Sequence, residues 1–128
     1  MVRGTHRSKL HTILIVDDDT AVVAMLSRAI RQHGYQVFTA GDGLDALTCL
    51  KHNSVDLILS DVTMPTMDGV ALCLRLRAEP TWSAIPIVIM SAADPQAFPP
   101  NLATHVLQKP LALDMLDRLI GDLLTSRS

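Results

Sequence analysis

Short, wholly apolar runs alternate with stretches of helical periodicity along nearly the whole chain, and each of several runs ends on a polar or charged group. Ile13-Leu14-Ile15-Val16 runs into Asp17-Asp18-Asp19. Val55 to Ser60 runs into Asp61, Ile87 to Met90 into Ser91, and Val106-Leu107 into Lys109 by way of Gln108. Runs of this length without polar alternation are strands covered on both faces, which is the condition of a parallel sheet. Strands separated by amphipathic helices give an α/β layer structure. Right-handed crossovers then bring the C-terminal ends of all strands to one edge of the sheet.

The expected elements follow from these patterns. Strands are read at residues 11–16, 35–40, 55–60, 85–90 and 104–108, and helices at 20–33, 44–52, 68–78 and 112–124. In the first helix Val22, Met25, Leu26, Ala29 and Ile30 share a face, Asp19 or Thr20 can cap its start, and Gly34 suits its end. In the third, Arg75 and Arg77 are expected to point outward. Asp42, Asp45 and Asp68 read as cap and first-turn charges. Residues 92–103 break the alternation, because Pro99 and Pro100 would end any helix opened by Pro95. An irregular loop or single turn is expected there, with Phe98 or Leu102 pinned on the sheet. The fold class is therefore a doubly wound five-stranded parallel sheet with a shortened or missing fourth helix.

At 128 residues the chain is expected to form one domain, spanning residues 11–124, with a basic, polar, flexible tail at 1–10 and a short tail at 125–128. With 48% hydrophobic but only 3% aromatic residues, the core must be aliphatic. A net charge of -2 and a pI near 6.2 argue against nucleic acid as a direct partner. No apolar run is long enough to cross a bilayer and no signal-peptide stretch precedes the first strand, so a cytoplasmic location is expected. Cys49 and Cys73 have no CxxC spacing and read as two reduced thiols in helices, and the five His are too scattered to ligate a metal.

The polar strand ends carry the chemistry. Asp17, Asp18 and Asp61 concentrate negative charge, which a hard divalent cation such as Mg2+ relieves through carboxylate oxygens. Lys109 offers a compact positive charge and Ser91 a hydroxyl, both suited to phosphoryl oxygens. A carboxylate can attack phosphorus to give an aspartyl-phosphate.

The Asp17-Asp18 pair after a strand, the segment from Asp61 through Met64-Pro65 to Met67-Asp68-Gly69, Ser91 after the fourth strand and Lys109-Pro110 after the fifth together resemble the receiver domain of two-component response regulators. The resemblance covers about residues 11–124. It implies a flavodoxin-like sheet of order 2-1-3-4-5. It implies Asp61 as the phosphoacceptor, supplied by a histidine kinase or phosphotransfer protein. Asp18, Asp61 and the Thr63 backbone carbonyl would hold Mg2+, with Asp17 acting through a water. Lys109 would pair with the phosphorylated Asp61, Ser91 would turn to the phosphoryl group, and the Lys109-Pro110 bond would be cis. Thr63 and Ala93 would tune hydrolysis of the phosphoryl group. Such a domain is no enzyme beyond its own phosphorylation and slow dephosphorylation.

Two departures from the family pattern stand out. Val106 occupies the place of the usual switch aromatic, and His105 beside it should face the other way. The 18 positions from Ser91 to Lys109 are about one helical turn too few, at the helix whose face often serves dimerisation. A phosphorylation-linked dimer is thus implied by the resemblance, while these departures motivate a second reading, a receiver-like interaction module that works without phosphorylation. A third, a small phosphohydrolase built on Asp17-Asp18-Asp19-Thr20, suffers from Ala21 standing where Thr or Val is wanted. Only residues 125–128 follow the last helix, which suits a stand-alone regulator or a piece of a longer regulator or hybrid kinase.

Overall fold

The computed structural model describes residues 10–127; most of the expected N-terminal tail, and Ser128, lie outside these. Five strands form one parallel sheet: β1 (Thr12–Val16), β2 (Gln36–Ala40), β3 (Leu57–Asp61), β4 (Ile87–Ser91) and β5 (His105–Gln108). Their order is β2-β1-β3-β4-β5. The helices are α1 (Thr20–Gln32), α2 (Gly43–His52), α3 (Gly69–Ala78) and α4 (Leu113–Arg127). The sequence reading ends α4 at Leu124, but it runs on to Arg127, so the expected C-terminal tail is helical through that residue.

Each apolar strand feeds both faces of the sheet, as the two-residue period requires. Leu14, Val16, Ile58, Ile87 and Ile89 pack with Ala46, Leu47 and Leu50 of α2 and Leu72, Cys73 and Leu76 of α3. Ile13, Ile15, Leu57, Leu59, Val88 and Met90 pack with Leu26 and Ile30 of α1 and Leu116, Ile120 and Leu124 of α4. β1 is buried throughout, whereas the edge strand β2 buries only Ala40 fully.

Between β4 and β5 the fourth helix is reduced to a 3-10 turn at Pro95–Ala97, capped by Asp94, whose carboxylate accepts from the Gln96 N–H at 2.9 Å. Phe98 is buried against the α2–α3 side of the sheet, and Leu102 packs half-buried beside it. An aromatic side chain thus does the covering that a helix would do. Arg77 corrects the outward placement expected for it. Its guanidinium donates to the carbonyls of Leu102 (3.0 Å), Ser83 (2.9 Å) and Ile85 (2.9 Å). It therefore ties the end of α3 to the lead-in of β4 and to the loop before β5. Arg75 is exposed.

Candidate functional site

β1 is the point where the strand order reverses, with β2 on one side and β3 on the other. The crevice above the C-terminal ends of β1 and β3 is where open α/β sheets bind ligands. Register places Val16 beside Ser60, so Asp17 and Asp18 leave β1 next to Asp61, the last residue of β3. One carboxylate oxygen from each of Asp17, Asp18 and Asp61 lies within 4.8 Å of the others.

The three carboxylates are held differently. Asp17 is buried; its backbone N–H donates to the Ala40 carbonyl (3.0 Å), and its Oδ1 accepts from the Asp19 N–H (2.9 Å). Its Oδ2 is buried without a hydrogen-bond partner among the described residues, with Lys109 Nζ 3.9 Å away. Burial raises the pKa of this carboxyl, as do Asp61 and Asp18, while the Asp19 N–H and Lys109 lower it. Asp18 is exposed. Asp61 is half-buried; its Oδ1 accepts from the Val62 N–H (2.9 Å) and pairs with Lys109 Nζ at 3.2 Å. Asp19 turns away: its Oδ1 accepts from the N–H groups of Ala21 and Val22 and caps α1. The phosphohydrolase reading needs that carboxylate in the pocket.

Lys109 reaches the site because its N–H donates to the Ser91 carbonyl (2.7 Å), locking the end of β5 to the end of β4, and the following bond to Pro110 is cis. Ser91 is the last residue of β4, one position beyond Met90, which is the register partner of Asp61. Its hydroxyl accepts from the Ala93 N–H (3.1 Å) and donates to the Ala93 carbonyl (3.2 Å). Val106 packs half-buried on the α2–α3 side of the sheet and Leu107 on the other, so His105 alternates away from Val106 and is exposed. Thr63 is exposed in the loop after Asp61. The loop's hydrogen bonds pass around it: Gly69 N–H to Val62 carbonyl (2.7 Å) and Met67 N–H to Pro65 carbonyl (2.6 Å). Thr66 adopts a left-handed φ of 67°.

A divalent cation fits these residues on two observations. Asp17 Oδ2 is a buried acceptor without a hydrogen-bond donor among the described residues, and of three clustered carboxylates only Asp17 and Asp61 lie against the Lys109 ammonium. Orphaned, clustered carboxylate oxygens are costly unless protonated or matched by positive charge.

The chain is a doubly wound parallel domain that gathers three carboxylates and a lysine at its switch point. Residues 13–120 match the family model of the response regulator receiver domain, and the chain belongs to that family. It is 42% identical over 82 residues to the response regulator MprA of Mycobacterium sp. (strain KMS), covering 64% of this chain and 35% of that protein. Over 113 residues it is 37% identical to the sensor histidine kinase RcsC of Salmonella typhimurium, covering 85% of this chain and 12% of that protein. The chain thus spans about a third or less of the length of these relatives. Among solved structures, a response regulator from Chloroflexus aurantiacus superposes with a TM-score of 0.86 at 35% identity, covering 91% of this chain and 99% of that one. A receiver domain of a histidine kinase from Syntrophus aciditrophicus gives 0.85 at 32% identity, covering 91% of each.

The packing of Gly43 on Met67 and the Arg77 clamp escaped sequence reasoning. Gly43 N–H donates to the Met67 carbonyl (3.1 Å), joining α2 to the loop that carries Thr63. The only sequence signal was a glycine opening a helix just after a cap residue.

Proposed function

We propose that this receiver domain accepts a phosphoryl group on Asp61 from a histidine kinase or phosphotransfer protein, and that the change at Asp61 alters which proteins it binds. The observation that carries the reading is the 3.2 Å pair between Lys109 and Asp61 beside two further carboxylates. One Asp61 oxygen forms a bond to phosphorus, the bond from phosphorus to the donor's leaving atom breaks, and the electron pair departs with the donor. Bonds from Val62 and Lys109 to Oδ1 fix the carboxylate's orientation, so the reaction needs little reorganisation. Lys109 then balances the phosphoryl charge. Ser91 gives up its bond to the Ala93 carbonyl and donates to a phosphoryl oxygen instead.

Asp18, Asp61 and the Thr63 carbonyl would hold Mg2+, with Asp17 acting through a water. The ion supplies charge neutralisation for the transferring phosphoryl oxygens. Thr63 and Ala93 flank the site with small uncharged side chains, which give an attacking water no base and favour slow loss of the phosphoryl group. An apolar cavity of about 490 Å3 lined by Val22, Met25, Met90, Lys109, Pro110 and Leu111 opens beside Lys109 and suits the docking of a protein donor. A phosphate-affinity gel after incubation with an acyl phosphate and Mg2+ should show a shifted band. A shift that survives Asp61→Asn defeats the proposal.

Val106 in place of an aromatic, and a turn in place of the fourth helix, favour the second reading, an interaction module independent of phosphorylation. Partner binding and pathway output unchanged by Asp61→Ala in cells would decide for it.

A further inference from the structure

We infer that Gly43 is a positioning residue for the phosphoacceptor site. Its missing side chain lets the first residue of α2 lie directly on the loop after Asp61 and hold that loop in place for cation binding. The inference rests on the Mg2+-dependent reading above.

The reason is space rather than backbone conformation, since Gly43 is buried and shows no left-handed φ. A Cβ at Gly43 would lie 2.6 Å from Met67 Cγ, 2.8 Å from Met67 Cβ and 2.8 Å from the Met67 carbonyl oxygen. Met67 Cγ could turn aside, but Cβ is fixed to the backbone and the carbonyl is held by accepting the Gly43 N–H at 3.1 Å. To regain an ordinary contact of 3.4 Å from 2.8 Å, the loop backbone would retreat by about 0.6 Å.

The loop has little freedom to absorb this. Its other end is pinned in the same manner by Gly69, where a Cβ would stand 2.6 Å from the Asp61 carbonyl oxygen and 3.0 Å from Val62 Cα. Gly69 N–H also donates to the Val62 carbonyl. Residues 62–68 are thus clamped between the first residues of two helices, with left-handed Thr66 and the Met67-to-Pro65 turn inside the clamp. A shift at Met67 passes through this short turn to Thr63 and Asp61. Groups that orient metal ligands without touching the metal typically cost 10- to 100-fold in affinity when changed.

Asp42→Ala is the control. Asp42 caps the same helix, its Oδ1 accepting from the Asp45 N–H at 2.8 Å, but its loss crowds nothing in the loop. Mg2+ affinity is measured by titration calorimetry below the melting temperature of each protein. Both variants should melt earlier than wild type, and only Gly43→Ala should weaken Mg2+ binding, by about 10-fold. Equal Mg2+ affinity in Gly43→Ala and wild type overturns the inference, and so does an equal loss in Asp42→Ala. If Gly43→Ala does not fold, hydrogen exchange of the wild-type Gly43 amide decides: Mg2+ should slow it, and an unchanged rate overturns the inference. A wild-type protein that binds no Mg2+ instead defeats the reading beneath it.

Discussion

Asp17 carries the sharpest physical conflict at the scale of single residues. Its carboxyl is buried, one oxygen lacks a hydrogen-bond donor, and burial raises its pKa above the ordinary 3.8. A carboxyl with a folded pKa above its unfolded one stabilises the fold in its protonated form. That contribution is complete below the unfolded value and is lost as pH rises through the folded value. In metal-free protein, Asp17→Asn should therefore raise the melting temperature at neutral pH and flatten its decline above about pH 4, as calorimetry across pH would show. A lower melting temperature in the variant would contradict this. Ser27 presents a neutral version of the same conflict, a buried hydroxyl in α1 with no partner among the described residues. Ser27→Ala should add about 1 kcal/mol to unfolding free energy in urea, since it removes an unmatched polar group and improves helix propensity.

Arg77 decides the behaviour of the elements around the lost fourth helix. Three carbonyls depend on one guanidinium that spans three segments. Arg77→Ala should cost about 2–3 kcal/mol in denaturant unfolding, because the partly buried carbonyls of Leu102 and Ile85 lose a charged donor, while the bond to Ser83 is exposed and adds little. Arg77→Lys should recover only part, since an ammonium cannot match the planar fork. A loss below about 0.5 kcal/mol for Arg77→Ala would show that water replaces the clamp.

The break itself was legible in Pro95, Pro99 and Pro100, and so was a cover by Phe98 or Leu102, of which Phe98 is the buried one. Arg77 was not. Helical periodicity assigns a face to a residue's Cβ, and a long side chain in the last turn can fold back to carbonyls whose positions only the tertiary fold sets. The strand limits moved for local reasons. Asp56 meets the start of β1 twice, its N–H donating to the Thr12 carbonyl (2.8 Å) and its carboxylate accepting from the Thr12 N–H (2.8 Å), so the Thr12 N–H goes to a side chain rather than to a backbone carbonyl, and β3 begins at Leu57. Pro86 lacks an N–H, and β4 begins after it, at Ile87.

The whole molecule places its chemistry by topology. Residues 17–18 and 61 are far apart in sequence, yet the strand order sets β1 and β3 side by side. The all-apolar strands made a parallel sheet readable, the resemblance to receiver domains implied its order, and the polar strand ends made the pocket readable. The clamp on the loop between Asp61 and Asp68 was not readable, because close backbone approach leaves no pattern beyond a glycine. Among the described residues no helix is long and apolar enough to cross a membrane. A cation bound only by the folded pocket stabilises the whole domain by mass action. Mg2+ at about 100 times its dissociation constant should raise unfolding free energy by about 2.7 kcal/mol, and Asp18→Asn should remove most of that gain. Equal gains in both proteins would place the ion elsewhere.

Phosphorylation of Asp61 with the help of a cation held beside it is the proposal on which the rest depends. Peptide-resolved mass spectrometry after exposure to an acyl phosphate, with Mg2+ or with a chelator, tests it most directly. One added phosphoryl group is expected, on the peptide containing Asp61, in Mg2+ alone. Modification on another peptide, or equal modification in the chelator, would contradict it.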